Sequence, residues 1–319
     1  MIITRSPVRI SFVGGGTDIA DFYHLHTGRV ISTAIQRYVW VMINQTMDPK
    51  IVLKYRRTEV VDFAEQIRHS RVREALVNRN IKAPIEILTV SDVTGKTGLG
   101  SSSAFSVALL KALDRNLAGQ DLAEAACRLE INLVGDPIGK QDQYASALGG
   151  FNLLEFERGG SVKVQPLEVS PEWQDHLLLF FTGSRREANL VLKEQRQNLR
   201  FDPGKLEVLE KMADSALIFK DLLLDQDWHG AAKVLHEGWL RKRSLASCIS
   251  NPTIDRLYQL GLNSGAWGGK ICGAGGGGCL LFIAPPEKHR KIRQELGLQE
   301  IPVKFAEKGC EVIFNSEAL

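Results

Sequence analysis

The sequence predicts an α+β protein made of two parts. Alternating and β-branched segments crowd the first half. Long stretches of helical period open the second half. Strands and helices come in mixed order, not the regular alternation of a doubly wound sheet.

Residues 8–13 read as a strand that runs into a tight glycine turn, Gly14-Gly15-Gly16-Thr17-Asp18. Residues 30–44, rich in Val, Ile and Thr, predict a second strand. Residues 62–78 carry a helical pattern, and 84–91 alternate as a half-buried strand does. A second glycine loop, 95–100, leads into a helix over 101–116, with serines at its start to cap it. A further helix spans 121–133, capped by Asp121. The segment 134–140, holding Gly135, Pro137 and Gly139, is a loop. Residues 151–156 and 162–167 form a hairpin around Arg158-Gly159-Gly160. The Pro171-containing stretch 169–175 marks a junction between parts. A strand over 177–181 precedes three helices, at 187–199, 205–224 and 228–245. Strands 269–272 and 279–283 then flank a six-residue loop of Gly and Ala, and a last helix and strand close the chain.

Bulk properties exclude several classes of protein. The chain has 319 residues, 44% hydrophobic and 24% charged, with a net charge of +3. That describes an ordinary globular protein with ample core, and the charge is too small to argue for nucleic acid. The five cysteines are odd in number and none has CxxC spacing, so free thiols in a reducing compartment are expected. Arg5 and Arg9 interrupt the apolar N-terminal stretch, which is no signal peptide. No apolar run is long enough to span a bilayer. A cytoplasmic location without membrane contact follows.

The three glycine loops carry the chemistry. In the first, a strand presents three glycines, a hydroxyl and a carboxylate, and Asp18 could accept hydrogen bonds from sugar hydroxyls or merely cap the next helix. The second, Gly95 to Ala104, lies between strand and helix, where backbone N–H groups and the helix dipole make an anion site. Its Gly95-Lys96-Thr97 is not Walker A, because that motif needs Gly at position 90, where Val90 stands. The third, Gly273-Ala274-Gly275-Gly276-Gly277-Gly278, spells GxGxxG but precedes a strand. The dinucleotide fingerprint needs a helix there, so that reading fails. Five glycines in those six positions still suggest close backbone approach. Between the loops stand two acids, Glu130 near a helix end and Asp142 twelve residues on. One could hold a metal and the other position a hydroxyl, although solvated acids near helix ends are commonplace.

Taken together and in this order, the loops resemble those of the GHMP kinase superfamily. Pro7-Val8-Arg9 is similar to its N-terminal motif, Gly98-Leu99-Gly100-Ser101-Ser102 to its nucleotide-phosphate loop, and Lys270 to Cys279 to its C-terminal glycine motif. The spacing from Glu130 to Asp142 is similar to that between metal ligand and catalytic aspartate in galactokinases. Gly14 to Asp18, Gln141 to Ala145, Gly149 to Asn152 and Ile249 to Pro252 resemble the heptose 7-phosphate kinase branch, and fucokinases share some of these features. Lys96-Thr97 departs from the sequence expected before Gly-Leu-Gly.

The resemblance implies a ribosomal-protein-S5-like N-terminal α/β domain over 1–170 and a ferredoxin-like C-terminal domain over 171–319. It implies an ATP-dependent sugar 1-kinase, with ATP and a sugar phosphate as ligands and Mg²⁺ as cofactor. Gly98, Leu99, Gly100, Ser101, Ser102 and Ser103 would cradle nucleotide phosphates. Ser102 and Glu130 would hold Mg²⁺. Asp142 would orient or deprotonate the acceptor hydroxyl, and Arg9 would polarise it. Gly15, Gly16, Thr17, Asp18, Gly275 and Gly276 would line the sugar site. For a distal phosphate the candidates are Lys270, Arg185 and Lys140, with Arg29, Arg186, Lys242 and Arg243 behind them. Rival readings are a free-sugar kinase of the fucokinase or galactokinase type, a non-catalytic sensor and a mevalonate-type decarboxylase. The oligomeric state stays open, a homodimer included.

Overall fold

A computed structural model describes residues 1–184 and 188–316. β1 (Ile2–Val13) pairs antiparallel with the long β2 (Gly28–Asn44), and a single-turn helix, α1 (Ala20–Tyr23), sits between them in sequence. β3 (Ile51–Lys54) and β4 (Thr58–Val61) form a hairpin. After α2 (Ser70–Asn78), β5 (Ile85–Ser91) inserts between β2 and β3, antiparallel to the former and parallel to the latter. Next come α3 (Ser101–Leu113), α4 (Gly119–Cys127) and α5 (Gln141–Leu148), with α3 and α5 packed on β1 and β2. The hairpin of β6 (Phe151–Phe156) and β7 (Val162–Pro166) joins the N-terminal half of β2.

The second part opens with β8 (Leu177–Phe181), then α6 (Ala188–Phe201), α7 (Pro203–Leu224), α8 (Trp228–Arg243) and α9 (Pro252–Asn263). β9 (Gly268–Ile271), β10 (Cys279–Ile283), α10 (His289–Leu296) and β11 (Gln299–Glu300) complete a four-stranded antiparallel sheet of order β11-β8-β10-β9. The last strand, β12 (Glu311–Asn315), returns to β1 at the edge of the first sheet. Phe12 of β1 joins the two parts. Its ring stacks on Phe151 of β6 at 5.3 Å and on Phe219 of α7 at 5.7 Å, all in one buried aromatic cluster.

Three local expectations change. The helix expected over 62–78 begins only at Ser70, because Gln66 Oε1 accepts the Asp62 and Phe63 N–H groups and closes a separate short turn. Asp121 lies in the first turn of α4 and is not its cap, which is Ala118. α4 then widens into a π-helical turn, Arg128–Leu133, where Val134 N–H reaches the Leu129 carbonyl at 2.9 Å. The serines do not cap α3. Gly100 holds the cap position in left-handed conformation. No disulfide joins cysteines among the described residues. No helix among the described residues is long and apolar enough to cross a membrane.

Candidate active site

The glycine loops expected from the sequence converge at one place. Gly98 (φ +80°) lies against the backbone of the third loop, so close that a β-carbon there would meet the Cys272 carbonyl oxygen at 2.2 Å. Cys279 N–H donates to the Thr97 carbonyl at 2.9 Å, which locks loop to loop. Arg9 N–H donates to the Leu99 carbonyl at 2.9 Å, which ties the second loop to β1. Only glycine tolerates such approach combined with a left-handed backbone. Together the loops wall a cavity of about 340 Å³ lined by Arg9, Gly98, Gly100, Ser101, Ser102 and Ser103, with Gly15, Gly16, Asp18 and Asp142 among its other walls.

At the floor, Arg9 and Asp142 form an ion pair. Arg9 Nε and Nη2 both approach Asp142 Oδ1, at 2.8 and 2.7 Å, while Nη1 donates to the Gly98 carbonyl at 2.5 Å. The Arg9 side chain is 4% exposed and that of Asp142 26%, so the carboxylate is the member open to a ligand. Burial pushes the Asp142 carboxyl up from its ordinary value, against the pull of Arg9. Beside this pair, the first turn of α3 turns its N–H groups, which have no intrahelical carbonyl partner, toward the cavity. One arrangement thus joins an anion cradle to a carboxylate suited to holding a hydroxyl.

Glu130, on the π-helical turn, is fully buried. Its Oε1 accepts from Arg71 Nε at 2.7 Å and Ser106 Oγ at 2.8 Å. Its Oε2 accepts from Ser103 Oγ at 2.7 Å and Gln143 Nε2 at 2.5 Å. Ser103 therefore holds Glu130, while Ser102 lies exposed at the cavity wall. No group of three or more His, Cys, Asp or Glu that could hold a metal occurs among the described residues. A hard cation here would depend on this carboxylate, serine hydroxyls and the ligand's own oxygens, which is the ordinary donor set for Mg²⁺.

The remaining expected residues fall in different places. Asp18 is buried on the cavity wall. It accepts from Gly16 N–H at 3.0 Å, Gln141 Nε2 at 3.0 Å and Gln141 N–H at 3.2 Å. Thr17 is turned inward and bonds both the carbonyl and the N–H of Arg29, at 3.0 and 2.9 Å, stapling the loop to β2. Gly275 lines the cavity, and Gly276 N–H donates to the Ile249 carbonyl at 2.8 Å. Lys270 is buried beneath the first loop, its Nζ donating to the Ser11 and Phe12 carbonyls at 2.9 and 2.8 Å. Burial lowers its pKa to about 7. Lys140 donates to the Gly160 carbonyl at 2.6 Å and sits over the Tyr23 ring. Arg29 is paired with Glu155 and Asp214, and Arg243 with Asp255. Arg185 and Arg186 lie outside the described residues.

Sequence reasoning missed several cavity residues. Ser11, Arg71, Asp136, Gln141 and Gln195 all line it, and so does Lys242, held only in reserve. Of these, Ser11, two residues from Arg9 on β1, and Gln141, beside Asp142, lay next to a recognisable signal. Arg71, Gln195 and Lys242 arrive from α2, α6 and α8, and Asp136 from the segment after the π-helical turn.

The comparisons with known proteins agree with this geometry. The family model described as GHMP kinases N terminal domain matches residues 60–150, and that described as GHMP kinases C terminal matches 219–299. A D-glycero-alpha-D-manno-heptose 7-phosphate kinase of Campylobacter jejuni is 30% identical over 93% of this chain and 94% of its own length. A bifunctional fucokinase/GDP-fucose pyrophosphorylase of Arabidopsis thaliana is 27% identical over 92% of this chain and 30% of its own length. The crystal structure of a D-glycero-D-manno-heptose 1-phosphate kinase from Bacteroides thetaiotaomicron superposes with a TM-score of 0.81 at 23% identity, covering 99% of this chain and 100% of that one, a likeness of fold. With both family regions present in order and a relative aligned end to end, the chain belongs to the GHMP kinase family of ATP-dependent kinases that phosphorylate a hydroxyl group.

Proposed function

We propose that this chain transfers the γ-phosphoryl group of ATP to the anomeric C1 hydroxyl of D-glycero-D-manno-heptose 7-phosphate, giving the α-1,7-bisphosphate. The observation that carries the reaction class is the Arg9–Asp142 pair at the foot of the glycine phosphate loop. The likeness to a heptose 7-phosphate kinase over nearly the whole chain supports the choice of sugar.

In this reading Asp142 accepts the hydrogen bond of the acceptor hydroxyl and takes its proton as transfer proceeds. Arg9, shared between Asp142 and the Gly98 carbonyl, fixes that carboxylate and faces the oxygen that gains charge. The N-terminus of α3 and Gly98 to Ser103 hold the nucleotide phosphates. Ser102 and Glu130 are the proposed residues for Mg²⁺, with Ser103 and Ser106 keeping the carboxylate in place. Bound there, the ion would neutralise phosphate charge. Asp18 and Gln141 shape the sugar wall. Most of the acceleration then comes from alignment and charge placement, as phosphoryl transfer requires.

We also assign 1–170 and 171–319 to the two domains, with the last strand returned to the first sheet, and place the protein in the cytoplasm. An ATP-consumption panel over free and phosphorylated sugars tests the function. Turnover that requires a phosphorylated heptose supports it. Equal or faster turnover of a free sugar such as fucose favours the alternative suggested by the fucokinase relative. ATP binding without turnover of any sugar would mark a sensor.

A further inference from the structure

On the wall of the cavity formed by the first loop, α5, α6 and α8, four polar groups face one space. Ser11 Oγ, Gln141 Oε1 and Gln195 Nε2 are buried and have no hydrogen-bond partner among the described residues. All three residues line the cavity, as does Lys242. Buried polar atoms without partners are costly and uncommon, and when aimed into a cavity they point to a ligand. Their grouping is tight. A β-carbon on Gly15 would lie 3.5 Å from Ser11 Oγ, 3.7 Å from Gln141 Nε2 and 3.8 Å from Lys242 Nζ, and one on Gly16 would lie 2.8 Å from Gln195 Nε2. The two glycines keep that space free of side chains.

Lys242 supplies the charge. It is 6% exposed, and among the described residues its Nζ donates to the Gly273 carbonyl at 2.6 Å. No carboxylate among the described residues forms an ion pair with it. Burial lowers its pKa to about 8, with Asp18 and Asp142 pulling it up and Arg9 pushing it down, so the ammonium remains charged at neutral pH. An ammonium donor, an amide donor, an amide acceptor and a hydroxyl together suit a ligand that carries anionic oxygens next to hydroxyl groups. Gln141 neighbours Asp142 on the first turn of α5, so this space adjoins the site of the reacting hydroxyl.

We propose that Lys242, with Ser11, Gln141 and Gln195, forms the subsite that takes the non-transferred phosphate and adjoining hydroxyls of a sugar phosphate. The inference rests on the sugar-phosphate reading above and deepens it. It also gives that phosphate a counter-charge on the cavity wall, which neither Lys270 nor Lys140 lines.

The test compares kcat/KM for one sugar with and without its distal phosphate, in the wild type and in Lys242→Met. The wild type should prefer the phosphorylated form, and the variant should lose that preference by about 10²-fold, the scale expected when one partner of a buried charged contact is removed. A wild type indifferent to the phosphate overturns the sugar-phosphate reading and this inference together. A wild type that discriminates while Lys242→Met discriminates equally well overturns the inference alone. So does a Lys242→Met whose main defect is a raised KM for ATP, which would place the ammonium on the nucleotide. Should Lys242→Met fail to fold, Gln195→Leu serves instead. It should raise the KM for the sugar phosphate about 10-fold, and an unchanged KM overturns the proposal.

Discussion

Arg71 lies across Glu130: its Nε donates to Glu130 Oε1 at 2.7 Å while Nη2 reaches Asp136 Oδ2 at 2.6 Å. The carboxylate proposed for Mg²⁺ is thus already matched by a guanidinium on the cavity wall. Breaking a buried pair by removing one partner commonly costs about 3–5 kcal/mol. Arg71→Gln should therefore lower the melting temperature clearly, and Mg²⁺ with ADP should restore more stability to the variant than it adds to the wild type. Equal metal-dependent shifts in both would show that cation and guanidinium do not share Glu130.

Glu130→Gln tests the same centre from the other side. It turns an acceptor of four hydrogen bonds into a group whose amide N–H₂ faces donors. Turnover should be abolished or need far more Mg²⁺, and some stability should be lost with it. Full activity at low Mg²⁺ would remove Glu130 from the metal site.

Asp142→Asn should lower kcat by about 10²–10⁴-fold, the range for loss of a positioned base, and leave the KM for ATP nearly unchanged. Because burial raises the Asp142 pKa, the carboxylate protonates at a higher pH than an ordinary aspartate. The acidic limb of the pH–rate profile should accordingly lie at a higher pH than an ordinary aspartate would give, and vanish from the residual activity of the variant. A near-normal kcat would leave the carboxylate a structural role only.

Lys270 predicts a pH dependence of stability. Its pKa falls to about 7 in the folded chain, chiefly through burial and next through Lys242, against about 10.4 unfolded. Between those values the unfolded state binds the extra proton, so this group adds stability as the pH rises from about 7 to about 10. The wild type should gain thermal stability relative to Lys270→Met across that window. A constant difference would contradict a neutral, buried amine.

Gly98→Ala would place a β-carbon 2.2 Å from the Cys272 carbonyl oxygen at a φ of +80°. The second and third loops must then part. Both a lowered melting temperature and a raised KM for ATP should follow, and an unchanged KM would separate this contact from nucleotide binding.

Much of this was legible in the sequence because its signals were local. The loops at 14–18, 95–100 and 273–278 announced themselves by glycine, and strands such as β5 and β10 by alternation or apolar runs. α9, absent from the expected elements, also carries a local start signal: Asn251 caps Ile254 N–H at 3.0 Å and Pro252 begins the helix. α5 was hidden behind a Gly/Pro loop and is only eight residues long. The partners of Glu130 and the space around Gly15 were not legible. Arg71, Gln195 and Lys242 reach the cavity from α2, α6 and α8, elements whose periodicity reports burial and not which polar residue faces a ligand.

Phosphorylation of a sugar phosphate at its anomeric carbon is read plainly by ³¹P NMR of the product. Incubation with ATP, Mg²⁺ and D-glycero-D-manno-heptose 7-phosphate should give a second phosphate resonance, coupled to the anomeric proton, with the 7-phosphate retained and one ADP formed per sugar. A product phosphorylated elsewhere, or no product while free fucose or galactose is turned over, would contradict the account.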